Sequence, residues 1–289
     1  MSFGETVLLG ALAGFTIFLG LPVARMRLLG TRARVGLAMF AVGVLAFLLA
    51  DVMEHAFGIV EEAVEEFADD EGGFGEALGL TLLLCAGFLA GTAGLGFLEA
   101  RIRARDATPP PIAGGSPELA GELTVDDAIQ IDSQEAIARA RALRTGMTIA
   151  AAIGLHNFAE GLAIGVSASA GEISLATVLI IGFALHNATE GFGIVGPLGS
   201  VTPSWRWLTV AGLVGGAPVF IGSIVGYNVT SEPLELAFYG LAAGAILYVI
   251  GEIWTSMRRF GHRQFGLWLL AAGFFVGIAT DLVVVYGGG

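Results

Sequence analysis

Long apolar runs separated by short polar stretches dominate this chain, and the runs set its element count. A hydrocarbon core about 30 Å thick takes about 20 apolar residues of helix to cross. That ruler predicts eight transmembrane helices, at roughly 5–21, 35–56, 77–99, 146–167, 173–195, 206–227, 234–256 and 265–286. The expected fold class is all-α, a polytopic membrane protein forming a single transmembrane domain over residues 1–289. One long polar stretch interrupts the pattern at residues 106–138, with Pro109-Pro110-Pro111, Gly114-Gly115 and scattered acids. It reads as a flexible cytoplasmic loop covering about 101–140. Inside it, Thr124 to Glu135 predicts a short surface helix, and Thr124-Val125-Asp126-Asp127 resembles a capping box with Asp in the usual Glu place.

Composition agrees with the pattern. The chain is 55% hydrophobic and 14% charged, with a mean hydropathy of +0.79, whereas a soluble domain carries about a quarter charged residues. Forty-four glycines suit helices that approach closely in a membrane. No basic segment precedes the first apolar run, and Leu21-Pro22 followed by arginines is a poor cleavage site, so no cleavable signal peptide is expected. The single cysteine, Cys85, excludes an internal disulfide or a thiolate zinc cluster within one chain. A net charge of −12 argues against nucleic acid as a partner.

Every one of the fourteen basic residues is arginine, which with the acidic loops points to a salt-adapted or GC-rich prokaryote. All of them fall in alternate connections: Arg25, Arg27, Arg32 and Arg34 after span one, Arg101 to Arg144 after span three, Arg206 after span five, and Arg258, Arg259 and Arg263 after span seven. The positive-inside rule makes that side cytoplasmic and puts both termini outside, in the plasma membrane of a prokaryote. The connection after span two is acidic, with Glu61, Glu62, Glu65, Glu66, Asp69, Asp70 and Glu71. Two readings stand open for it: a mouth that concentrates cations, or a solvated helix extension.

Spans four and five carry the candidate chemistry. Leu155-His156-Asn157-Phe158-Ala159-Glu160-Gly161 is nearly repeated at Leu185-His186-Asn187-Ala188-Thr189-Glu190-Gly191. Histidine and glutamate four apart share one helix face. Polar side chains inside apolar runs are costly and usually functional. Two such helices, antiparallel across a short outer connection, would bring two imidazoles and two carboxylates to one point. That set suits Zn²⁺, and also Fe²⁺, Mn²⁺ or Co²⁺, while the lack of thiolate disfavours copper(I). Two ionised glutamates balance one divalent cation. Asn157 and Asn187 each offer an amide oxygen, either to complete the coordination or to form an adjoining second site. A helix–helix hydrogen-bonded pair without metal would explain one copy of the motif but not two.

With these motifs, the eight spans and the long connection after span three, the chain resembles the ZIP (Zrt/Irt-like protein) family of metal transporters, especially its prokaryotic members. The stretches Leu48 to His55 and Ala242 to Glu252 also resemble the family's pattern. The resemblance implies uptake of a divalent metal towards the cytosol, with ligands at His156, Asn157, Glu160, His186, Asn187 and Glu190. It further implies a two-part bundle, usually a homodimer, in which spans one, four, five and six slide as an elevator against two, three, seven and eight.

Two departures from the family stand out. Its usual prolines before the motif glutamates are replaced by Ala159 and Thr189, so straighter helices, or bends at the glycines, are expected. Span six reads Gly215-Gly216-Ala217-Pro218 with no carboxylate, where many members place a bridging glutamate. A single metal, or a weakly held second one, is therefore expected.

Asp51, Glu54 and His55 near the outer end of span two, and Asp281 in span eight, are read as entrance residues. Glu252 in span seven is read as an exit-side ligand or a partner for Arg258 or Arg259. The metal is cargo, and no cofactor is expected. An intramembrane metal-dependent hydrolase is the competing reading. The chain lacks His-Glu-x-x-His, and both glutamates are committed to the metal. A di-iron bundle would place Glu before His, three apart, the reverse of the order here.

Overall fold

The protein's structure, a computed structural model, describes residues 1–26, 30–105, 125–171, 173–228 and 231–286. It is helical throughout, with no strand among the described residues. In chain order the helices are α1 (Phe3–Phe15), α2 (Ile17–Gly20), α3 (Thr31–Ala68), α4 (Phe74–Leu89), α5 (Leu95–Arg105), α6 (Val125–Ser169), α7 (Ile173–Val195), α8 (Trp205–Asn228), α9 (Glu232–Arg258) and α10 (Arg263–Tyr286). Seven stretches among the described residues are long and apolar enough to cross a membrane, with α1–α2 and α4–α5 each acting as one rod. The 23-residue α7 coincides with the span expected at 173–195.

The rods bend where the sequence allows it. Between α1 and α2 the Thr16 hydroxyl donates to the Ala13 carbonyl at 2.7 Å, drawing a backbone acceptor out of the helical ladder. Between α4 and α5 lies a π-helical turn, Ala90–Gly94, whose Gly91 sits against the α9 backbone at Leu241 and Gly244.

Two expectations are corrected. α6 does not start near residue 146; it runs 45 residues without a break from Val125 to Ser169. The predicted surface helix and span four are therefore one element, and the loop expected over about 101–140 is narrower. The reason is local: from Val125 to Thr145 the chain has neither Gly nor Pro, and it is rich in Ala and Arg, both good helix formers. The triple proline lies outside the described residues. On the opposite end, α3 continues to Ala68. Glu61, Glu62, Glu65 and Glu66 thus sit on a helical extension, which ends where Asp70 turns left-handed at φ 59°.

The large buried core joins α3, α6, α7 and α9 through Leu45, Ile149, Ile153, Ile194, Ile246 and Ile253. α6 lies along α8, α3 along α10 and α4 along α9. Closest approach between α6 and α8 is at glycine. A Cβ on Gly161 would stand 2.2 Å from the Val219 carbonyl oxygen, and one on Gly222 would stand 2.1 Å from that of Phe158. No larger residue fits there without separating the helices.

The arginines gather at one end and serve a structural purpose there. Arg25, Arg34, Arg139 and Arg259 come from four different elements. They donate to the carbonyls of Pro203, Gly199, Thr202 and Pro197 respectively, all in the turn between α7 and α8. That turn, 196–204, is strapped to the bundle by charge-assisted hydrogen bonds.

Candidate metal centre

The two motifs fall inside unbroken helix, α6 and α7. Helix continues through both motif positions where the family has proline, and the motif glycines serve for packing: a Cβ on Gly191 would meet the Ile17 carbonyl oxygen at 2.6 Å. Because α6 and α7 run antiparallel, the glutamate of each motif faces the histidine of the other. His186 Nε2 and Glu160 Oε1 are in direct contact, and His156 Nε2 lies 3.9 Å from Glu190 Oε1. Along α6 itself, His156 Nε2 is 2.8 Å from Glu160 Oε1, the one-turn neighbour expected from the spacing. The two imidazole centroids are 6.2 Å apart. One ligand atom from each of His156, Glu160 and His186 lies within 4.8 Å of the others.

The asparagines hold the back of the site. Asn157 Nδ2 donates to Glu190 Oε2 at 3.2 Å and to the Gly215 carbonyl of α8 at 2.9 Å. Both amide hydrogens are thereby used, which fixes the amide's orientation. Asn187 Nδ2 donates to the Ala13 carbonyl of α1 at 3.3 Å. The sequence offered no signal for Gly215 or Ala13, since both act through backbone carbonyls.

All six motif residues are buried. Six buried side-chain atoms lack a hydrogen-bond partner among the described residues: His156 Nδ1 and Nε2, Asn157 Oδ1, Glu160 Oε2, Asn187 Oδ1 and Glu190 Oε1. His156 Nε2 illustrates the point, being 2.8 Å from a carboxylate oxygen without hydrogen-bond alignment. Leaving one such group unsatisfied costs about 1–3 kcal/mol. Four of the six are oxygens that can only accept, and a buried acceptor without a donor is a natural ligand for a cation.

The site is reached through a cavity of about 300 Å³ lined by His156, Glu160 and His186 together with Asp51, Glu54, His55 and Asp281. The fold thus brings the four expected entrance residues, from α3 and α10, to the same opening as the motif. Tyr239, Phe183 and Thr280 also line it, and the sequence did not single them out. Tyr239 donates to Glu235 at 2.7 Å, and its ring lies tilted against that of His55, with centroids 6.2 Å apart. Glu252 is half-buried on α9 and does not line this cavity.

Residues 115–250 match a family model described as ZIP zinc transporter. Over that stretch the chain matches the ZIP family. Both His-Asn-x-x-Glu motifs lie within the residues that match the ZIP model, whereas Asp51, Glu54, His55, Glu252 and Asp281 lie outside them. Among curated relatives, the zinc transporter ZupT of Clostridium perfringens is 32% identical over 147 residues, covering 49% of this chain and 51% of the relative. The zinc transporter ZIPB of Bordetella bronchiseptica is 34% identical over 131 residues, covering 44% of this chain and 42% of the relative. The chain spans about half the length of the curated relatives it matches.

Proposed function

We propose that this protein is a ZIP-family membrane transporter for a divalent transition metal, Zn²⁺ foremost. The observation that carries the reading is the cluster of six unpartnered buried polar atoms, all on the paired motifs. His156, Glu160, His186 and Glu190 are the metal ligands, with Asn157 and Asn187 offering their unpaired amide oxygens. In place of a bridging carboxylate, α8 offers the site the Gly215 carbonyl, already bonded to Asn157. This favours a single metal.

Metal enters past Asp51, Glu54, His55 and Asp281, whose carboxylates concentrate cations at the cavity mouth. It then binds between α6 and α7, exchanging water for imidazole and carboxylate ligands. Release is towards the arginine-bearing end, taken as cytosolic by the positive-inside rule, with both termini on the other side of a prokaryotic plasma membrane. Glu252, in the half of α9 nearer that end, is the exit-side carboxylate. The metal-bearing helices α1, α2, α6, α7 and α8 move as an elevator against α3, α4, α5, α9 and α10, in a homodimer. Glycine-sealed contacts within the first group, such as Gly161 on Val219 and Gly191 on Ile17, support its moving as one body.

A metal-dependent hydrolase would need an open coordination position and a free general base. Both motif glutamates instead face imidazoles across the helix pair, which favours a carrier. The test is uptake into proteoliposomes of Zn²⁺, Fe²⁺, Mn²⁺, Co²⁺ and Cd²⁺ by the wild type, Glu160→Ala and Glu190→Ala. Flux of at least one metal, lost in both variants at unchanged elution and melting, supports the reading. Wild-type flux in folded variants sinks the ligand assignment. Stoichiometric binding without flux favours the hydrolase.

A further inference from the structure

A second cleft, of about 630 Å³, opens between α3, α9 and α10 at the arginine-bearing end. Val35, on its floor, precedes Leu48 of the metal cavity by thirteen helical residues, or about 20 Å along α3. The cleft arises from the α9–α10 turn. Gly261 and His262 both adopt left-handed backbone, φ 74° and 56°, and α10 leaves the turn along α3 rather than back along α9.

The lining is two-faced. Val35, Met39 and Met257 form a buried apolar floor, with Trp254, Gly266 and Leu267 as walls. At the rim stand Arg258 and Arg263, both exposed. Among the described residues neither makes an ion pair or side-chain hydrogen bond, unlike Arg25, Arg34, Arg139 and Arg259. α10 begins at Arg263, so its first-turn amides, which have no intrahelical acceptor, and the positive end of its dipole lie at the same rim.

We propose that this cleft is a binding site for one anionic phospholipid of the leaflet at that end. Arg258 and Arg263 hold its phosphate, and an acyl chain lies on Val35, Met39, Trp254 and Leu267. Guanidinium groups match phosphate geometry in pairs. Indole sits naturally at headgroup depth, and basic pockets between transmembrane helices take anionic headgroups. Charge complementarity selects the occupant. Two unpaired arginines on a protein of net charge −12 favour an anionic headgroup over one that also carries a choline cation, and a free phosphate would leave the apolar floor uncovered. The proposal is independent of the metal reading.

The test uses the purified full chain in non-ionic detergent, with native mass spectrometry of bound lipid. Phosphatidylglycerol is compared with phosphatidylcholine, and inorganic phosphate serves as competitor. The wild type and an Arg206→Gln control are expected to retain one phosphatidylglycerol. Arg258→Gln/Arg263→Gln should retain at least tenfold less. Leu267→Trp should lower retention with both arginines in place. Phosphatidylcholine should not be retained, and millimolar phosphate should not displace the lipid. Equal retention of both lipids, wild-type retention by the double variant, or displacement by phosphate each overturns the proposal. Should a variant fail to fold, quenching by brominated phosphatidylglycerol in wild type against Trp254→Phe decides it. Identical quenching of the two proteins, leaving only exposed indoles such as Trp268 in contact with lipid, overturns it.

Discussion

Gly161→Ala tests whether α8 holds the proposed metal centre in register. The added Cβ would lie 2.2 Å from the Val219 carbonyl oxygen and 2.8 Å from the Ser223 amide nitrogen. Ordinary contact is about 3.5 Å, so α8 must retreat by about 1 Å. The Gly215 carbonyl rides on α8 and now accepts from Asn157 at 2.9 Å. A retreat of that size takes the pair beyond hydrogen-bond range. Overpacking costs about 1–3 kcal/mol and an interhelical hydrogen bond in a membrane about 0.6–1.7 kcal/mol, so together about 2–5 kcal/mol of stability should be lost. Asn157 also steadies Glu190, through the 3.2 Å bond to Oε2. Losing such a supporting partner typically weakens metal binding by about 10–100-fold. The assay is Zn²⁺ titration calorimetry with thermal melting in detergent, beside Gly58→Ala. Gly58 has open space around its Cβ position, and alanine there should be neutral or stabilising by up to about 1 kcal/mol. Wild-type melting and Zn²⁺ affinity in Gly161→Ala would refute the reasoning.

If the proposed ligands hold the metal, acidification should weaken binding, because they would bind as neutral imidazoles and ionised carboxylates and must shed any protons first. Calorimetry in buffers of different ionisation enthalpy should show protons released on binding near and below neutrality, and pH-independent affinity would contradict this. Asn157→Ala removes the clamp on Glu190 without touching a histidine, and Zn²⁺ affinity should fall by about 10–100-fold while the melting temperature shifts less than in Gly161→Ala. Arg259→Gln removes the 3.0 Å bond to the Pro197 carbonyl. Amide exchange across residues 196–204 should quicken while exchange in the motif helices stays unchanged, and no change in the turn would show that the strap contributes nothing.

What the sequence decided by itself is local. Hydrophobic length sets the transmembrane rods, since each needs only its own run of apolar residues to satisfy its backbone in lipid. Thus α7 lies where the pattern put it, and His156 and Glu160 share a face because four residues make about one helical turn. Even the misplaced start of α6 was locally readable, because nothing between Val125 and Thr145 breaks a helix. Tertiary structure decided how the motifs meet. The antiparallel register of α6 and α7 sets Glu160 on His186 and Glu190 towards His156. Backbone carbonyls of Gly215 and Ala13, far off in sequence, orient the two asparagines. The same holds for the cavity that gathers Asp51 and Asp281 from α3 and α10 while leaving Glu252 outside it. The rotation and offset of one helix against another are set by which surfaces interdigitate, and where α6 meets α8 that is decided by glycines whose missing Cβ lets two backbones touch.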